Sequence, residues 1–93
     1  MSFNAEELIE DLNTAQAALQ ARRSVVMQSI GEWARKKRQD AGVSLRRQAE
    51  EMSLSPAYIS DLERGNRPWA IASVRFYEQG LKKATTSAKS RAK

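Results

Sequence analysis

The sequence predicts an all-α protein. Start and stop signals bracket two short helices near its middle, apolar residues recur at helical spacing on both sides of them, and an alanine-rich stretch of high helix propensity lies near the N-terminus. With 93 residues, the chain is about the size of one small domain. It contains no cysteine and no histidine, which excludes disulfides, thiolate metal sites and histidine acid–base chemistry.

The N-terminal segment, residues 1–24, predicts an amphipathic helix. Asn4 is a good N-cap, and Glu7 stands where its side chain can reach back to it. One apolar stripe follows at spacings of four, three and four residues: Leu8, Leu12, Ala15 and Leu19. Two alternatives are open, because this helix could fold back as an extra core helix or bury its stripe against another chain. The narrow, heptad-like stripe favours the second, so we expect it to form a homodimer.

A second run of apolar residues predicts helix over the following segment: Val26, Ile30, Trp33, Ala34 and Ala41. Its start is open to two interpretations. Ser29 and Glu32 have the spacing of a capping box, which favours a new helix near Ser29. Residues 21–28 contain no helix breaker, however, so a single helix from Asn4 to Asp40 is the alternative.

The centre of the chain, residues 44–68, predicts two short helices joined by a three-residue turn at 52–54. Ser44 can cap the first helix through its hydroxyl. Ser55 can cap the second, and the proline after it occupies the first helical position, where a missing N–H costs nothing. Gly65 can end the second helix in a left-handed conformation. Two helices joined by so short a turn form a helix-turn-helix unit.

This centre resembles the lambda-repressor/Cro-like (XRE-type) helix-turn-helix family. The matching residues are Gly42, Ser44, Leu45, Ala49, Leu54, Ser55, Pro56, Ile59, Ser60, Leu62, Glu63, Gly65 and Pro68. The resemblance covers roughly residues 30–81 and departs at Gln48, where the family usually has a large apolar residue, and at Ser53, where glycine is common. It implies a compact lambda-repressor-like helical domain over 25–81, to which the N-terminal helix is an addition.

The resemblance also implies roles for individual residues. It pairs Arg38 with Glu63 as a structural ion pair and places the second motif helix in the major groove of DNA, with the first crossing the backbone. The residues expected to read bases are Pro56, Ala57, Ser60 and Asp61. The residues expected to contact phosphates are Arg46, Arg47, Ser55, Tyr58, Arg64, Asn66 and Arg67. Arginines at the N-terminal end of a helix oppose its dipole, and a phosphate partner explains Arg46 and Arg47.

The sequence predicts a final helix over Trp69–Leu81, and its apolar positions are expected in the core: Ile71, Val74, Tyr77 and Leu81. Gly80 is expected to fray the end of this helix. The remaining residues, 82–93, are basic and poor in apolar side chains, which predicts a disordered tail.

Charge and motifs together predict a function in recognition. The net charge is +5, and the positive excess lies in and after the motif, which suits a polyanionic partner. No nucleophile–base pair, glycine-rich phosphate loop or metal-ligand cluster appears, so we expect neither an enzyme nor a cofactor. No apolar run reaches membrane-spanning length and the start lacks a signal-peptide pattern, so a cytoplasmic protein is expected.

We therefore expect a dimeric, sequence-specific transcription regulator of bacterial or phage type, most simply a repressor, on double-stranded DNA. Its operator is expected to be an inverted repeat with half-sites about one helical turn, roughly 34 Å, apart. The alternative is an XRE-type antitoxin, which binds a toxin and represses its own operon. A third possibility is a protein–protein module that has kept the fold and lost DNA binding.

Overall fold

The computed structural model describes the backbone of residues 4–91 and the side chains of residues 4–86. This part of the chain has four helices and no strand, which confirms the all-α class. The helices are α1 (Ala5–Asp40), α2 (Leu45–Met52), α3 (Pro56–Glu63) and α4 (Ile71–Arg91). Helix α2 packs against α3 and α4, and α3 packs against α1. None of the four has an apolar stretch long enough to cross a membrane.

Helix α1 is one continuous helix of 36 residues, which decides between the two interpretations of its start. Asn4 caps it, since its Oδ1 accepts a hydrogen bond from the Glu7 amide at 3.2 Å. The second helix start expected at Ser29 is wrong. The Ser29 hydroxyl donates to the Val25 carbonyl one turn back, at 2.9 Å, instead of capping a new helix.

The N-terminal half of α1 extends away from the rest of the described chain. Every side chain from residue 4 to residue 26 is exposed. The leucines of the predicted stripe are among the most exposed large apolar side chains, with Leu8 at 53% and Leu19 at 70%. The alternative in which this segment folds back as an extra core helix is therefore wrong, and the molecule is elongated, measuring 77 × 21 × 19 Å.

The core lies between the C-terminal half of α1 and the other three helices. Its buried members are Ala34, Ala49, Met52, Ile59, Leu62, Trp69 and Tyr77. Helices α1 and α3 approach each other closely at Gly31. A Cβ on this residue would collide with the backbone carbonyl of Glu63. The end of α3 therefore lies directly on α1, which fixes the position of the second motif helix.

The turn between α2 and α3 has the predicted caps and one strained residue. The hydroxyl oxygens of Ser44 and Ser55 accept from the amides of Arg47 and Tyr58 at 3.0 and 3.1 Å, as predicted. Ser53 adopts φ 54° and ψ 39°, a left-handed conformation that glycine takes at less cost. The position where the family commonly has glycine thus has the backbone that glycine favours.

Helices α2 and α4 are in close contact through a small and a polar residue. A Cβ on Gly80 would lie 2.7 Å from Cγ of Met52, so this glycine permits close packing in mid-helix and does not fray an end. Gln48 is fully buried, and its Nε2 donates to the Tyr77 carbonyl at 3.0 Å. The amide of Gln48 thus takes the place of the large apolar residue that the resemblance implies.

Helix α4 differs from the predicted final helix at both ends. It begins at Ile71, not Trp69, and Ile71 is 74% exposed instead of in the core. It continues to Arg91, so the disorder predicted for 82–93 is wrong for 82–91, while 92–93 lie outside the described residues. Alanine and lysine have high helix propensity, and burial of Ala84 adds packing beyond residue 81.

Candidate nucleic-acid interface

A buried ion pair fixes α3 to α1. Arg38 donates from Nε to Oε2 of Glu63 at 2.8 Å and from Nη2 to Oε1 at 2.9 Å, while its Nη1 donates to the Val43 carbonyl at 3.0 Å. The predicted pair is confirmed, and its bidentate geometry sets orientation as well as distance. The side chains are only 11% and 5% exposed. The hydrogen bond to Glu63 raises the pKa of the Arg38 guanidinium, against the lowering effect of burial.

Tyr77 of α4 completes this network, and sequence reasoning had assigned its ring to the core without a partner for its hydroxyl. The hydroxyl donates to Oε2 of Glu63 at 2.7 Å and lies 3.1 Å from the Ala34 carbonyl oxygen. Burial raises the pKa of this hydroxyl, and the hydrogen bond to Glu63 raises it further. A buried tyrosine needs a polar partner, and the glutamate expected to form a structural ion pair was the available signal. Helices α1, α3 and α4 thus meet at one carboxylate.

The four predicted base-reading residues lie together on α3 and outside the core. Pro56 and Ala57 are exposed in its first turn, and Ser60 and Asp61 are half-buried one turn later. Residues at i, i+1, i+4 and i+5 share one side of a helix. The inward side carries three buried residues: Ile59, Leu62 and Glu63. Because the inward side is fixed, the outward side has a defined orientation.

Asp61 belongs to a charged cluster at the end of this outward side. Nη2 of Arg64 lies 2.8 Å from its Oδ1, and Nε of Arg67 lies 3.7 Å from its Oδ2. The Arg67 guanidinium also lies over the Tyr58 ring, 4.8 Å from its centroid. We call these four residues the Asp61 cluster. The two arginines of the cluster offset the repulsion that an isolated carboxylate would exert on DNA phosphates. A cytosine amino group that bound Asp61 would have to compete with Arg64 for its carboxylate.

The two arginines expected to contact phosphates from α2 have different surroundings. Nη1 and Nη2 of Arg47 lie 3.3 Å from Glu50 and 2.9 Å from Glu51, and its side chain is 24% exposed. Arg46 is exposed and has no ion-pair partner among the described residues. The structure therefore separates the pair: Arg46 is available to a phosphate, whereas Arg47 also holds α2 together.

The loop after α3 lies beside a basic residue of α1. Asn66 and Arg67 are exposed and line a shallow depression together with Arg23 of α1. The Asn66 amide donates to the Asp61 carbonyl at 2.8 Å, which fixes the start of the loop. Sequence reasoning missed Arg23, because it lies far from Asn66 and Arg67 in the chain and only the packing of the loop on α1 reveals the proximity.

The predicted dimerisation residues lie apart from this interface. Leu8, Leu12, Ala15 and Leu19 are all exposed on the N-terminal half of α1. Comparison of the chain with protein-family models, curated proteins and solved structures gave no match.

Proposed function

We propose that the protein is a sequence-specific DNA-binding transcription regulator that acts as a dimer on an inverted-repeat operator, most simply as a repressor. The observation that supports this most is the contrast between the two sides of α3. One side is locked to α1 and α4 through Glu63, and the other presents small and polar side chains to solvent. A helix held rigidly with its outer face open is suited to the major groove, which is about 12 Å wide.

Each exposed group of the interface has a role in this proposal. The methyl group of Ala57 suits the methyl group of thymine, and the Ser60 hydroxyl can donate to or accept from a base edge. The Oγ of Ser55 already accepts from the Tyr58 amide, which leaves its hydroxyl hydrogen for a phosphate oxygen. Arg46 contributes a sequence-independent phosphate contact, and the Asp61 cluster supplies further cations at the other end of α3.

The proposal is tested by selecting bound duplexes from a random pool and measuring affinity for the recovered site over a series of salt concentrations. Arg46→Ala is expected to weaken binding to matched and mismatched sites alike and to reduce the slope of log K against log salt by about one unit. Ala57→Leu is expected to change the preferred sequence, because it alters the shape of the base-reading surface.

Arg75→Ala is the matched control, since it removes an exposed arginine from α4, outside the proposed interface. A wild-type chain that recovers no preferred sequence would refute the proposal. An Arg46→Ala loss no larger than that of Arg75→Ala would refute the phosphate contact alone.

An antitoxin that binds a protein partner and also represses its operon is the second candidate. One observation favours it: an apolar groove between α1 and α4, lined by Arg22, Val25, Val26, Ser29, Ile30, Trp33 and Val74. If a toxin occupies this groove, Val26→Asp abolishes neutralisation of a toxin encoded beside the gene and leaves affinity for the recovered DNA site unchanged. Unimpaired neutralisation by Val26→Asp would exclude the groove as the toxin site.

A further inference from the structure

The arm, which we define as residues 5–26 of α1, has an apolar face that nothing in the described chain covers. Leu8, Ile9 and Leu12 are 53%, 57% and 57% exposed, and Leu19 is 70% exposed. Most of the stability of a helix in a protein comes from packing of its apolar face, and the arm has no such packing within the described chain. A row of exposed aliphatic side chains on such a helix indicates a partner.

The stripe lies N-terminal to the part of α1 that packs against the helix-turn-helix domain. In heptad notation Leu8 and Ala15 are d positions, and Leu12 and Leu19 are a positions. The α1 side chains that pack against the core all come later in the helix than Leu19: Met27, Ile30, Trp33 and Ala34. A second chain can therefore approach the stripe without meeting the domain of the first.

We infer that a second copy of this chain covers the stripe, with the two arms antiparallel. Charge complementarity chooses both the occupant and its direction. The first half of the arm carries no basic side chain and four acidic ones: Glu6, Glu7, Glu10 and Asp11. Its second half carries two basic side chains, Arg22 and Arg23. Parallel arms would bring the two acidic ends together, with Asp11 at a g position beside the stripe in each. Antiparallel arms bring the acidic end of each toward the basic end of the other, where Arg23 is at an e position. Glu6, Glu7 and Glu10, at b, c and f, contribute only to the overall charge of their end.

The distribution of leucine and alanine chooses the register. In antiparallel arms an a position packs against a d position of the partner. When Leu8 lies opposite the partner's Leu19, Leu12 lies opposite the partner's Ala15, and every layer of the stripe is aliphatic. A shift by one heptad that lengthens the overlap of the arms places Leu12 opposite the partner's Arg22. A shift by one heptad that shortens the overlap lays the acidic halves of the two arms against each other. Both shifts cost stability, so the first register is the one the chain favours.

This arrangement fixes how far apart the two copies of α3 lie. The two-fold axis passes between residues 13 and 14. Helix α3 and the glycine after it, Gly65, pack on α1 around residues 28–38, as the close contacts at Gln28, Gly31 and Arg38 show. Roughly 20 residues at 1.5 Å each, about 30 Å, separate the axis from this contact in each chain. The two copies of α3 are therefore about 60 Å apart along the arms. Where the chain acts as proposed on DNA, half-sites about two helical turns apart fit this distance better than the single turn that the resemblance implies.

Disulfide trapping tests the arrangement without DNA, since the chain has no cysteine of its own. Leu8→Cys and Leu19→Cys are prepared as separate variants and oxidised alone and as an equimolar mixture, after sedimentation has established that each associates. We expect a covalent dimer from the mixture and none from either variant alone. In the inferred register, identical positions lie about 16 Å apart, well beyond the roughly 7 Å that a disulfide spans.

The matched control places cysteines close to the same heights on the opposite side of the arm. Glu10→Cys and Ala17→Cys are both at f positions and are expected to give no covalent dimer, alone or mixed. Covalent dimers from either stripe variant alone would show parallel arms and overturn the inference. Absence of covalent dimer from the mixture, or a monomeric wild-type chain in sedimentation, would overturn it as well.

The expected spacing of the half-sites rests on the proposed function, whereas the pairing of the arms does not. The proposed function and the arm pairing can therefore fail separately. Trapping as expected without preferred DNA would leave the arm pairing intact and refute the function. Preferred DNA without trapping would do the reverse. An operator recovered with half-sites one turn apart would refute the register that we infer.

Discussion

Glu63 is the residue on which the geometry of the candidate interface depends most. Its two carboxylate oxygens accept from Arg38 on α1 and from Tyr77 on α4, while its own backbone belongs to α3. A charge pair this deeply buried is stabilising only as a complete set, because removal of one partner leaves the other charge without compensation. The pair thus couples the direction of α3 to the folding of the domain.

Glu63→Gln is therefore expected to lower the free energy of unfolding by about 3–5 kcal/mol in denaturant titrations. Asp40→Asn is the matched control, because it neutralises a carboxylate in an exposed pair with Lys36, in which the lysine and aspartate side chains are 79% and 67% exposed. Exposed pairs contribute about 0–1 kcal/mol, so this control should change little. Equal losses in the two variants would show that burial gives the Glu63 pair no special role.

The roles of single residues could be predicted only where spacing or resemblance identified a partner. Arg38 and Glu63 could be paired through the resemblance, and the caps Ser44 and Ser55 through their spacing alone. The hydroxyl of Tyr77 and the amide of Gln48 find their partners across 14 and 29 positions of the chain, on helices whose packing no local pattern specifies.

At the scale of elements, the helices could be predicted but several of their ends could not. The caps and the turn of the central motif lie where expected because their signals are local. The continuity of α1 and the extension of α4 to Arg91 depend on the sum of weak propensities along many residues, which competes with single capping signals. Gly80 illustrates the limit, because a glycine in a helical pattern marks either an end or a close contact.

The turn between α2 and α3 gives a prediction at this scale. Ser53→Gly is expected to raise the free energy of unfolding by up to about 1 kcal/mol, since a left-handed backbone costs a non-glycine residue about 1–2 kcal/mol and the greater chain entropy of glycine offsets part of the gain. Thermal unfolding would show a rise of a few degrees. Ser53→Ala keeps the strain and is expected to show no gain. A gain of the same size in both variants would locate the effect in the lost hydroxyl.

At the scale of the whole molecule, the chain combines a compact helix-turn-helix domain with an exposed arm. All the buried residues of the described chain lie between Gly31 and Ala84, and the arm from residue 5 to residue 26 contains none. Burial in the core therefore does not account for the leucines of the arm, which agrees with the pairing of two arms that we infer. On the proposed function, a single recognition helix of eight residues would contact few bases, and two of them on one dimer would provide the affinity that one lacks.

Leu12→Glu combined with Leu19→Glu is accordingly expected to give a folded monomer. Both side chains are exposed in the isolated chain, at 57% and 70%, so circular dichroism and the unfolding midpoint of the domain should stay close to those of the wild type. Sedimentation should show a monomer, and affinity for the inverted repeat should fall by about 100-fold or more as bivalent binding is lost.

The matched control for this pair is Asn13→Glu with Ala17→Glu, which adds the same charge at b and f positions on the other side of the arm. Because these positions face solvent in the paired arms, the control should remain dimeric and keep its affinity for the inverted repeat. A stripe variant that stays dimeric would show that the interface lies on another surface. The groove at Val25 and Val26 is then the first to examine, because α1 also presents exposed aliphatic side chains there.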